Sequence, residues 1–285
     1  MELSLSTHLL VYHRMQDQSL ATMAAAGYRT VEVWLAEPHV PWRSQRGCEQ
    51  FRRRLAEHGL RVGSVHLPFY PSVPELMNHG HKWSVIDQEK KARQTAIEAA
   101  AEGFRAAATL GAGVGVLHLG WPGDDWSGDR AQLARAAVDA LLPIAKETGV
   151  QLLLENIISD GTRCGELVKL LDEVDPHHTA GICLDLGHAH VEGDILAELG
   201  DALPRLCHLH VHDNDGSSDS HQAPGQGSIP WDGVFDLLTT ANFNGLGALE
   251  LRDFSRGEDD IPALLNRELG HVADFCAQHR HPILH

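Results

Sequence analysis

The chain of 285 residues has five cysteines, an odd number, and no Cys-x-x-Cys pair. Neither a disulfide framework nor a thiolate zinc site is expected, and reduced core thiols are the simpler reading of Cys48, Cys164, Cys183, Cys207 and Cys276. No stretch approaches about 18 uninterrupted apolar residues, so no membrane-spanning helix is expected. The opening Met1-Glu-Leu-Ser-Leu-Ser-Thr-His8 lacks the basic and apolar regions of a secretory signal, and a cytoplasmic location is the expectation. Positive charge is scarce too: 23 Lys and Arg stand against 39 Asp and Glu, a formal charge of -16. That balance opposes broad attraction to nucleic acid or anionic membranes. What the chain has in excess is histidine, 20 residues, beside an apolar content of 43% that leaves ample material for a core.

The imidazoles and carboxylates follow a pattern. Five β-type apolar runs finish on a side chain able to ligate metal: Val62-Gly-Ser-Val-His66, Val114-Gly-Val-Leu-His118, Leu152-Leu-Leu-Glu155, Gly181-Ile-Cys-Leu-Asp185 with His188 close behind, and Leu206-Cys-His-Leu-His210. A sixth, Gly247-Ala-Leu-Glu250, closes the last strand pattern. Between such runs lie helical patterns, so the sequence reads as a (β/α)8 TIM barrel, one α/β domain over 1–285, with its chemistry at one rim.

Eight βα units can be marked. The strands are predicted over 3–10, 30–35, 61–67, 114–119, 150–156, 180–186, 206–213 and 247–252. The helices are predicted over 19–26, 48–58, 87–110, 129–148, 165–174, 194–199, 234–241 and 262–279, with Gly27 and Gly59 as stops after the first two. A Pro-rich loop follows the third strand. Leu133, Ala137, Leu141 and Ile144 carry the spacing of a helix packed on a barrel. Strand alternation fixes direction: if Leu152 and Leu154 face the helices, Glu155 faces the barrel axis, and the same parity turns Asp185 and Glu250 inward. Three carboxylates converging without a cation on their strands call for a metal ion.

These residues resemble the xylose-isomerase-like barrel superfamily, which holds sugar and sugar-phosphate isomerases and epimerases, inosose dehydratases and the endonuclease IV type of abasic-site nuclease. The most specific segment is His208-Leu-His-Val-His-Asp-Asn-Asp215 with Asp219-Ser-His221, Gly225-Gln-Gly227 and Ile229-Pro-Trp231. The resemblance implies that Glu155, Asp185, His210 and Glu250 hold a central divalent ion (Zn, Mn, Co or Mg). It implies further that His66 and His118, with a bridging Glu155, match the ligands of a second metal, and His188, Asp219 and His221 those of a third, one to three ions in all. His210 is taken as the strand-seven ligand from its His-x-x-Asp spacing to Asp213, with His212 about 6 to 7 Å further along.

The favoured chemistry is isomerisation or epimerisation of a sugar or sugar phosphate through an enediolate, with Glu155 and Glu250 as the acid/base pair. Glu32, Trp34, His188 and Arg252 are the expected substrate contacts, joined by Trp121 and Trp126. The substrate-binding Arg of ketose epimerases has no counterpart here, where Ser217 and Ser218 stand, and Arg252 or Arg163 is the substitute. The alternative is a multi-metal abasic-site nuclease or phosphoesterase, against which the acidic charge argues; Phe69 and Tyr70 could serve it as base-wedging groups, but Pro68-Phe69-Tyr70-Pro71 reads more simply as a packed rim loop over a small pocket. The expected partner is a small carbohydrate, not a membrane; nucleic acid is disfavoured but stays open with the nuclease alternative, as does homo-oligomerisation.

Overall fold

Eight strands pair in parallel and in chain order, closing on themselves: β1 (Glu2–Ser6), β2 (Thr30–Trp34), β3 (Arg61–His66), β4 (Val114–Leu117), β5 (Gln151–Glu155), β6 (Gly181–Asp185), β7 (Leu206–Val211) and β8 (Leu246–Leu249). The computed structural model describes residues 1–279. Around the barrel run α1 (Asp17–Ala25), α2 (Gln45–Glu57), α3 (Val73–His79), α4 (Lys90–Leu110), α5 (Arg130–Thr148), α6 (Cys164–Val174), α7 (Leu186–Val191), α8 (Ile195–Ala202), α9 (Trp231–Thr240) and α10 (Ile261–Gln278). The TIM barrel read from the sequence is the fold observed, and no helix among the described residues is long and apolar enough to cross a membrane.

Parity divides each strand between two environments. Leu152 and Leu154 join the main core between barrel and helices, whereas Leu153 packs inside the barrel with Val116 and Cys183. Glu155 shares the inward parity of Leu153, and the register pairs it with Cys183 and pairs Asp185 with His210. On β5 and β6 the inward side chains thus change from apolar, Leu153 and Cys183, to acidic, Glu155 and Asp185, at the C-terminal ends.

Several boundaries differ from the sequence reading. The first strand stops at Ser6, whose side chain accepts from the His8 amide and starts a short 3-10 turn over Thr7–Leu10. The Pro-rich loop contains α3: Ser72 caps it, and Pro74 sits in its first turn, where a missing N–H costs nothing. Asp185 ends β6 and at once caps α7, its Oδ1 accepting from the His188 amide at 2.7 Å. On α5 the buried stripe is Ala134, Ala137, Val138, Leu141 and Ala145, with Leu133 and Ile144 at its edges. Glu89 caps α4 by accepting from the Lys91 and Ala92 amides.

Candidate metal centre

Four strand ends meet at the centre of the rim. Glu155, Asp185, His210 and Glu250 each offer a ligand atom, and the four atoms lie within 4.8 Å of one another. Nδ1 of His210 stands 3.0 Å from Oε1 of Glu155, 2.7 Å from Oε2 of Glu250 and 3.7 Å from Oδ2 of Asp185. All four residues are buried. Two further groups flank them. Oε2 of Glu155 lies 3.3 Å from Nε2 of His66 and 3.0 Å from Nε2 of His118. Oδ2 of Asp219 lies 3.3 Å from Nε2 of His188 and 2.9 Å from Nε2 of His221. The structure therefore brings together all nine residues that the resemblance singled out, in the same three groups.

The protonation pattern follows from burial and proximity. Burial opposes the charged form of Glu155, but His210 and His118 overcome it and hold the carboxyl well below the usual range. Burial likewise opposes the imidazolium of His210, yet Cys183, Glu250, Glu155 and Glu32 raise its pKa well above the ordinary value. For Asp185, His188 and His212 outweigh burial and lower the pKa to about 2. Burial disfavours protonated His221 as well, and Asp219 lifts it to about 9. His118 goes the other way, lowered chiefly by burial.

The donors fit a divalent ion. Oε2 of Glu155 and Oε2 of Glu250 are buried, and what meets them is imidazole nitrogen: His118 and His66 at 3.0 and 3.3 Å for the first, His210 at 2.7 Å for the second. Holding several carboxylates in one buried cluster costs several kcal/mol unless positive charge meets them, which a divalent ion would supply when the imidazoles are neutral. Mixed carboxylate and imidazole donors suit zinc, manganese or cobalt, and the carboxylates alone suit magnesium.

Above the centre opens a cavity of about 230 Å³. His8, His118, His188, Asp219, His221 and Glu250 form its polar side, while Trp34, Phe69, Tyr70 and Trp121 face it with Val73 and Leu76 from α3. His8 was not singled out in the sequence. Its ring lies 4.5 Å from that of Trp34, its Nδ1 pairs with the Leu251 carbonyl at 3.0 Å, and burial lowers its pKa to about 3. The one available signal, a polar residue at the end of the first strand pattern, was masked by reading that strand through Leu10.

Three expected substrate contacts are placed elsewhere. Glu32 has the parity of Trp34 but lies a layer deeper, wholly buried: its Oε2 meets Ser64 Oγ at 2.9 Å, His208 Nε2 at 3.2 Å and His210 Nε2 at 3.3 Å. One step of parity along a strand is about 6 to 7 Å, enough to move a side chain from cavity to barrel interior. Arg252 does not line the cavity, and Arg163 is held by Glu192 at 2.5 Å and Glu198 at 3.1 Å. Among the tryptophans, Trp34 and Trp121 reach the cavity; Trp126 donates to Ser159 on the outer side, and Trp231 donates to Asp213 in the core.

Asp213 accounts for the rest of the conspicuous motif. It accepts from the amides of Gly225 and Ile229 and from the Trp231 indole, tying down the loop that carries Asp219 and His221. His212 is no competitor of His210 at the centre: its Nε2 meets both Asp185 oxygens at 3.0 and 2.9 Å, and its ring stacks 4.0 Å from that of His221.

Comparison with known proteins bears on the family and the fold. A family profile described as xylose isomerase-like TIM barrel matches residues 20–273. Fructoselysine 3-epimerase of Shigella flexneri is 23% identical over 258 residues, 85% of this chain and 86% of that protein. A probable endonuclease 4 of Campylobacter concisus is 26% identical over 248 residues, 79% of this chain and 83% of that protein. The crystal structure of the IOLI protein with a bound zinc atom superimposes with a TM-score of 0.78 at 15% identity, covering 98% of this chain and 99% of its own, a likeness of fold. With its closed eight-stranded barrel, the chain belongs to the xylose isomerase-like TIM barrel family.

Proposed function

We propose that this chain is a divalent-metal-dependent isomerase or epimerase of a small carbohydrate. One observation carries the reading: four donors, Glu155, Asp185, His210 and Glu250, converge beneath a cavity of about 230 Å³ that no Lys or Arg lines. A space of that size admits a sugar, not a duplex, and phosphate-rich partners are normally met by several cations. A divalent ion held by the four donors supplies Lewis-acid polarisation of a substrate carbonyl. Glu250, which lines the cavity, takes the proton from the carbon beside that carbonyl. Glu155, beside His118 and His188, is the partner through which a proton is relayed back to the carbon, so that removal at one face and return at the opposite face inverts it through an enediolate. The fructoselysine 3-epimerase relative supports this class of reaction.

A second reading has its own support. His66 and His118 beside Glu155, and His188 with Asp219 and His221, complete a nine-donor set suited to several ions and to phosphodiester hydrolysis, and the endonuclease 4 relative points the same way. Deuterium separates the two. In deuterated buffer with Mn²⁺, Co²⁺ or Mg²⁺, a panel of ketoses, ketose phosphates and inososes is expected to include a sugar that gains deuterium at the carbon next to its carbonyl. Cleavage of an abasic-site duplex at catalytic enzyme concentration, with no exchange on any sugar, reverses the assignment.

A further inference from the structure

The turn after β1 and the residues just beyond it bring to the cavity two polar side chains that lie outside the nine-donor set, His8 and Tyr12. Their support is firmly tied. Thr7 Oγ1 accepts from the Trp34 amide at 2.9 Å, and the carbonyls of His8 and Leu10 accept from the Val11 and His13 amides at 2.9 and 2.8 Å. The other imidazoles of the cavity are committed. His188 has Nδ1 on the Asn156 carbonyl and Nε2 on Asp219, His221 has Nδ1 on the Glu250 carbonyl and Nε2 on Asp219, and the one unpartnered nitrogen of His118, Nδ1, is buried. His8 differs. Its Nδ1 carries a proton, because the Leu251 carbonyl that it meets at 3.0 Å can only accept. Nε2, on the far edge of the ring, makes no hydrogen bond among the described residues, and the His8 side chain is 18% exposed against 10%, 6% and 9% for His118, His188 and His221. In a neutral ring that nitrogen is a hydrogen-bond acceptor. The Tyr12 hydroxyl also makes no hydrogen bond among the described residues, and its side chain is seated against the loop after β8, where a Cβ at Gly257 would come within 3.0 Å of the Tyr12 Cβ.

Position says which part of a substrate would meet them. Oε1 of Glu250 lies 4.0 Å from His8 Nδ1, so a carbon skeleton whose reacting carbon sits at Glu250 brings its next hydroxyls beneath the first loop. We propose that His8 and Tyr12 are substrate-binding residues that select an unphosphorylated polyhydroxy ketose: with the carbonyl on the metal centre, hydroxyls further along the chain pair with His8 Nε2 and Tyr12 Oη. A hydroxyl donates to the His8 acceptor, whereas an ionised phosphate has no proton to give it, and no Lys or Arg lines the cavity to meet the phosphate charge. This rests on the carbohydrate reading above and narrows it to free ketoses.

The test is deuterium exchange by the Mn²⁺-loaded protein on D-fructose, D-psicose, D-tagatose and fructose 6-phosphate, followed by the 4-, 5- and 6-deoxy forms of the ketose that exchanges fastest. His8→Phe keeps a ring on Trp34 but removes Nε2, and Tyr12→Phe removes only the hydroxyl. Each is expected to raise KM by about tenfold, with a smaller change in kcat, since a substrate hydroxyl is left unpaired in the cavity. His8→Gln, which returns an acceptor, should recover part of the loss. On the deoxy form that lacks the paired hydroxyl, wild type and variant should have the same KM. Fructose 6-phosphate should show a KM no lower than that of fructose. Because His8 stands close enough to His221 and Glu250 to offer a ligand atom, bound metal is measured alongside and should be the same in every variant. An unchanged KM in either Phe variant, a penalty carried undiminished onto every deoxy form, a preference for the phosphate, or loss of metal from His8→Phe overturns the proposal and leaves the carbohydrate reading standing. No exchange by the wild type on any sugar of the wider panel strikes that reading itself, and the proposal falls with it.

Discussion

At the scale of single residues, charge and depth assign the roles. Glu155 and Glu250 flank His210 Nδ1 at 3.0 and 2.7 Å. Replacing either by Gln removes an anionic donor and a proton acceptor while preserving shape, so Glu155→Gln and Glu250→Gln are expected to keep the wild-type circular dichroism and lose turnover by at least about 1,000-fold, the product of two ordinary catalytic contributions. Near-normal turnover in either variant with metal bound contradicts the assignment. Glu32 acts through another residue. Its carboxylate meets the Nε2 face of His210, which leaves Nδ1 for the centre, the usual way a carboxylate orients a metal-ligating imidazole. Glu32→Gln should weaken metal binding by about 10 to 100-fold, measured by competition with a chromogenic chelator. An unchanged affinity in the folded variant would show that Glu32 does not orient the ring.

At the scale of elements, legibility tracked periodicity. The eight strands and the long α4, α5 and α10 were readable because alternation and 3.6-residue spacing persist over many residues, and parity alone turned Glu155 and Asp185 inward. Short elements escaped. The six residues of α7 carry no apolar stripe, and what starts them is Asp185, a side chain already assigned to the centre. Depth escaped as well, since parity says that Glu32 points inward but not how far down the axis it lies. The tight join of β6 to α7 supplies a test. A Cβ at Gly187 would collide with the imidazole of His212, which cannot yield because Asp185 holds its Nε2 and His221 stacks on its face. Gly187→Ala is expected to cost about 1–3 kcal/mol, the range for forced overpacking, read as a lower urea midpoint. The double variant Gly187→Ala, His212→Ala should recover most of the loss; no recovery would place the strain elsewhere.

At the scale of the whole molecule, the barrel gathers anionic groups that would repel one another at the centre of a chain with a formal charge of -16. The acids cannot be spread apart, because Asp185 starts α7 and Glu155 ends a strand paired on both sides. Their histidine neighbours, at 3.0 Å from Oε2 of Glu155 and 2.7 Å from Oε2 of Glu250, offset the repulsion only while they carry protons in a buried site. A cation that binds only the folded arrangement must then stabilise the entire domain. At a free concentration 100 times its dissociation constant, the linkage is worth about 2.7 kcal/mol. For a chain of this size that corresponds to a rise of about 5–10 °C in Tm. Mn²⁺ or Zn²⁺ added to chelator-treated protein should produce that rise and excess chelator should reverse it. In Glu250→Gln the rise should shrink, because one of the four central donors has lost its charge. Metal analysis of the same samples then divides the functional readings: one tightly held equivalent places the ion on Glu155, Asp185, His210 and Glu250 alone, whereas three equivalents load the flanking histidine groups and favour the phosphodiesterase. A Tm indifferent to metal and chelator alike would mean that the histidines neutralise the acids by themselves, and both metal-dependent readings would fall together.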